Sequence, residues 1–169
     1  MTENPTALAA LAIVLLATSA QAQVPPAAPH EIQAAEFLVG TWNCSHQVGS
    51  FSGTYTTSFA KVLGDLWLKQ TYDFPATGER SGAVQAQYFI GYDPRAQRWV
   101  RFGAMSSGQY FAMVGKRGDN VWSWNYVLPG QSGSAVYTKH SDSEYTVDGP
   151  SYPENGQLVT ERHTCRKSS

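Results

Sequence analysis

The chain has 169 residues, 12 Lys and Arg against 13 Asp and Glu, a formal net charge of −1, and 42% hydrophobic residues. That length suits one domain with a full core. A near-neutral balance with no basic run leaves out the electrostatic footprint that nucleic acid or an anionic membrane surface requires.

Residues 1–22 read as an export signal. Ala7 to Ala17 is an unbroken small and apolar run, and Ala20-Gln21-Ala22 offers small residues where a signal peptidase reads. The run is shorter than the ~20 residues of a membrane span, so no membrane attachment is expected after cleavage, and the mature protein is expected to be periplasmic or secreted. Residues 23–29 (QVPPAAP) form a Pro-rich lead, and residues 30–169 make the single domain.

A short helix is predicted over 30–39, where Ile32, Ala35, Phe37 and Leu38 form an apolar stripe and Gly40 ends it. Everything after it is β in character. β-branched and aromatic residues broken by turn signals predict strands at about 41–49, 52–63, 66–74, 83–92, 97–105, 109–116, 120–127, 133–140, 143–149 and 157–166. The segments from Gly149 to Gly156 and from Pro75 to Gly82 read as breaks. About ten meandering strands with short links and no intervening helical pattern predict an all-β, antiparallel up-and-down barrel. A barrel of that strand number is wide enough for a ligand cavity.

A closed antiparallel barrel sets its first strand beside its last. Cys44 and Cys165 lie on those two strands, so export to an oxidising compartment predicts a disulfide across the closure. If the two cysteines are directly opposed, His46 faces His163 and Val48 faces Glu161. Side-chain alternation then puts Trp42, Cys44, His46, Glu161, His163 and Cys165 on one face. Two imidazoles and a carboxylate could bind a metal, act as acid and base, or simply be hydrogen-bonded polar residues at a wet barrel mouth. Trp122, Trp124 and Tyr126 alternate along another strand, as core or as lumen wall.

Gly40-Thr41-Trp42 after a short lid-like helix resembles the opening of lipocalins and other calycins. In those proteins the Trp closes the barrel bottom and a basic residue near the C-terminus packs across it. The resemblance implies closure by Gly40 and Trp42, with Arg162 or Arg166 as the basic partner. Together with Phe89-Ile90-Gly91-Tyr92-Asp93 leading to Arg98-Trp99-Val100, the chain is similar to an exported bacterial calycin-like family of unknown function related to the nitrobindins. That branch implies haem held by a histidine on the last strand, where His163 lies. Cys44 and His46 stand where it carries glycines that make room for the cofactor, so no cofactor is expected.

The expected function is therefore non-enzymatic: binding or carrying a small hydrophobic molecule in the lumen, with His46, His163, Glu161, Trp122 and Trp124 as candidate contacts. No catalytic residue and no metal are assigned. The alternatives are a lumen-based enzyme or metal- or haem-binding protein using His46, His163 and Glu161, and an interaction module whose barrel is filled by its own side chains. There is no nucleophile elbow, phosphate loop, Cys-x-x-Cys or His-Glu-x-x-His to favour an enzyme.

Overall fold

The computed structural model describes residues 30–75, 82–154 and 156–168. The predicted signal and Pro-rich lead lie outside the described residues, as does most of the expected break at 75–82.

The described chain opens with α1 (His30–Ala34) and a 3-10 turn, η1 (Glu36–Leu38), rather than one continuous helix. Ten strands follow: β1 (Gly40–Val48), β2 (Phe51–Val62), β3 (Trp67–Phe74), β4 (Val84–Asp93), β5 (Arg98–Met105), β6 (Tyr110–Arg117), β7 (Val121–Tyr126), β8 (Ser134–Lys139), β9 (Glu144–Glu154) and β10 (Gln157–Lys167). They form one closed antiparallel barrel in which each strand pairs with its chain neighbours and β1 pairs with β10.

Burial alternates along the strands, so one face of each strand lines the lumen. On β3, Leu68, Gln70 and Tyr72 are buried, and on β5, Trp99 and Arg101 are buried while Arg98, Phe102 and Ala104 are exposed. At the closure Cys44 opposes Cys165 and His46 opposes His163, the register that the cysteine pair predicts. The two cysteines form a disulfide with a sequence separation of 121 and both are buried. A buried disulfide fits an oxidising, non-cytoplasmic environment.

β9 departs from expectation. It continues through the predicted break to Glu154, which pairs with Gln157 of β10. Proline is tolerated in a strand at a bulge, and Pro150 sits in one. Thr160 pairs with Ser151 but Arg162 pairs with Asp148, so Gly149 and Pro150 together oppose Glu161 alone.

Candidate functional site

The lumen has two different ends. At the closed end, Trp42 is fully buried and its Nε1–H donates to the Leu38 carbonyl at 2.7 Å, tying β1 to the preceding turn. Tyr145 and Phe37 meet its ring edge-on at 4.8 and 6.5 Å between centroids. The cation across the ring is Lys167, its Nζ 5.3 Å from the Trp42 centroid and donating to the Phe37 carbonyl at 3.0 Å. Gly40 (φ +122°) leaves space for it, since a Cβ there would lie 3.1 Å from Lys167 Cε. The predicted partners Arg162 and Arg166 are instead exposed and pair with Asp148 and Glu144 on the outer surface. The reason is parity: with Cys165 facing inward, 162 and 166 face outward and 167 inward.

Trp122 and Trp124 also belong to this end. They pack edge-on against Trp99, with centroids at 6.3 and 6.5 Å, and Phe37 lies 5.6 Å from Trp122. The void left among Ala35, Leu38, Ile90 and these rings is only about 20 Å³. Both tryptophans therefore fill the barrel bottom and lie apart from the histidine cluster.

The other half of the lumen holds a cavity of about 280 Å³. Tyr55, Tyr88, Tyr126, Tyr137 and Met113 are among the residues that line it, with Arg101, Glu161 and His163 as charged or titratable groups. Larger depressions lie mostly among outward-facing residues such as Asn43, Thr54, Asp73 and Arg166. They have no enclosing wall of inward side chains.

At the cavity's edge, Glu161 Oε1 lies 3.0 Å from His163 Nε2 and 3.0 Å from His46 Nε2. Glu161 reaches this position because Gly149, opposite it in the bulge, has no side chain; a Cβ there would lie 3.1 Å from Glu161 Cβ. The His163 contact is a hydrogen bond, and on the other side of that ring Nδ1 lies 3.0 Å from the Tyr55 hydroxyl. Burial pushes the Tyr55 phenol well above its usual range, so it keeps its proton beside Nδ1, while Nε2–H donates to the carboxylate. His46 Nε2 is off the line a hydrogen bond needs and stays buried without a directional partner. Its ring stacks on His163 instead, with centroids at 4.6 Å and planes 18° apart.

The three donor groups lie within 4.8 Å of one another. Imidazole lone pairs lie in the ring plane, however, so two rings this near parallel do not aim at one ion. As it stands the cluster is a carboxylate hydrogen-bonded to one imidazole, with the second ring stacked on the first.

Burial opposes ionisation of Glu161, but the hydrogen bond from His163 and the nearness of both imidazoles outweigh it and hold its pKa down to about 2. A carboxylate favoured in the folded state stabilises the protein above its unfolded pKa, near 4.5. That contribution is lost as pH falls toward about 2. Wild type should therefore lose on the order of 3 kcal/mol relative to Glu161→Gln between pH 4.5 and 2, in denaturant titrations at stepped pH. Parallel stability curves would contradict a carboxylate held ionised by the two imidazoles.

Arg101 was not expected at all. It is 7% exposed, one step along β5 from Trp99, and so forms the floor of the cavity. Its Nη2 donates to Gln70 Oε1 at 3.3 Å and to the Tyr72 hydroxyl at 3.1 Å, and Nη1 reaches the Met113 thioether at 3.7 Å. Nε is buried with no partner. Aromatic faces surround the charge, Tyr88 at 4.7 Å, Phe111 at 5.0 Å and Tyr137 at 5.5 Å. Among the described residues no carboxylate lies within ion-pair distance of it.

No protein-family model matches the chain, and no curated protein matches it. Among solved structures it is similar to a redesigned beta barrel, at 11% identity and a TM-score of 0.47. That match covers 80% of this chain and 96% of the other. The likeness is one of barrel shape and carries no argument about function.

Proposed function

We propose that this barrel binds or carries a small, mostly apolar molecule in its lumen, without catalysis, in the periplasm or outside the cell. The observation that supports this most is the 280 Å³ cavity inside a closed barrel, walled by aromatic rings and methionine with a few convergent polar groups. Such a volume equals roughly nine waters at about 30 Å³ each. It suits a ligand at the small end of the usual range and is small for a porphyrin, so His163 is read as a wall residue rather than an iron ligand. The Gly40-x-Trp42 opening, with Lys167 in the role of the basic partner, supports the resemblance to calycins.

Affinity would come from apolar surface buried against the rings, at about 25 cal/mol per Å² before the costs of association. His46, His163 and Glu161 would set orientation at the edge. A titration with 1-octanol, followed calorimetrically, tests the reading. Wild type should saturate at one per chain, and Ala135→Trp, which places an indole at a cavity-lining position, should abolish binding while still unfolding in one cooperative transition. Binding that survives in a folded Ala135→Trp protein, or no saturable binding by wild type, would overturn the lumen site.

A further inference from the structure

We infer that Arg101 anchors the head group of a small monocarboxylate whose apolar tail lies among the lumen's aromatic side chains, an inference that rests on the lumen-binding reading. Arg101 is a permanent cation that lines a cavity of aromatic and methionine side chains with a few polar groups. Burying a charge without a partner is costly, and proteins ordinarily pair such a group or replace it with an apolar side chain of similar volume.

The contacts around it do neither. Gln70 and Tyr72 occupy Nη2, a weak thioether acceptor meets Nη1, and Nε meets none. Glu161 is the carboxylate that lines the same cavity, and it is held by His163 and flanked by His46. The ring faces at 4.7 to 5.5 Å soften the desolvation of the cation without neutralising it.

A carboxylate supplies what is missing. It carries one negative charge and planar acceptor oxygens that match a guanidinium edge. The Tyr72 hydroxyl accepts from Nη2, so its own proton is available to a second ligand oxygen. A dianion such as phosphate would bring a second negative charge into a cavity that already holds the Glu161 carboxylate, with no second Arg or Lys among the residues that line it. The remaining wall, built of Tyr55, Tyr88, Tyr126, Tyr137 and Met113, suits a hydrocarbon or single-ring tail.

The test compares octanoate with 1-octanol at pH 7.5 in wild type, Arg101→Met and Tyr72→Phe. Wild type should bind octanoate at least tenfold more tightly than octanol. Arg101→Met should keep its melting temperature and its octanol affinity but bind octanoate more than tenfold more weakly, and Tyr72→Phe should lose severalfold. If octanol binds in the lumen and octanoate binds no better, the head-group inference falls while the lumen reading stands. If neither probe binds wild type, both fall. If Arg101→Met unfolds or loses octanol as well, Arg101 is a structural residue and the inference is wrong.

Discussion

Trp42→Ala is expected to cost about 3–5 kcal/mol of folding stability, the range for deleting a fully buried large aromatic side chain. Three losses add at this position. The indole leaves a cavity beneath Phe37 and Tyr145, the Leu38 carbonyl loses its 2.7 Å donor, and Lys167 is left over an empty space where a ring face had balanced its charge. For a domain of this size each kcal/mol is worth roughly 3–4 °C in melting temperature, so thermal denaturation should show a fall of more than 10 °C. Phe102→Ala on the outer face, where the ring is 44% exposed, should cost under about 1 kcal/mol. Equal effects at the two positions would mean that Trp42 is not the plug of the closed end.

The second large effect concerns the staple. Reducing the Cys44–Cys165 bond, or replacing both residues by Ala, should lower stability by about 2–4 kcal/mol. A loop closed over 121 residues restricts the unfolded chain strongly, and the chain-entropy argument gives an upper figure of about 4.7 kcal/mol for a loop near that length. The native barrel should survive, because the β1–β10 ladder runs from Trp42 to Gln47 on β1 and holds the closure by hydrogen bonds as well. Melting curves with and without reductant measure the effect. Two titratable thiols in unreduced, unfolded protein would refute the bond itself.

Much of this architecture was readable from the chain because strand periodicity and turn chemistry agree. All the strands but β9 fall close to their predicted limits, and the two cysteines fix the register of the closing ladder by themselves. From that register follow the facing of His46 and His163 and their shared side with Cys44. What escaped has identifiable causes. The β9 extension was hidden by Pro150 and Pro153, which read as breakers until the bulge opposite Glu161 gives Pro150 a position without a ladder hydrogen bond to lose. Lys167 shares the face of Cys165 by parity, whereas the resemblance to calycins implies Arg162 or Arg166.

Arg101 escaped for a deeper reason. In Arg98-Trp99-Val100-Arg101-Phe102, one face of the strand carries Trp and Arg and the other Arg, Val and Phe, so hydrophobicity does not say which is inside. The ring of Phe102 faces out and the guanidinium faces in. Local preference loses to the lumen's need, and conflicts of that kind concentrate at functional positions. Trp122 and Trp124 show the converse. Their alternation placed them correctly on the inner face, but only the position of α1 and η1 decides that this end is filled and the Arg101 end is open.

Native mass spectrometry of the protein, purified without detergent from the cells that make it, tests lumen carriage most directly. Wild type should carry one small-molecule adduct per chain, on a polypeptide two hydrogens light for the disulfide, and Ala135→Trp should carry none. A bare polypeptide in both, or the same adduct in both, would contradict binding in the lumen.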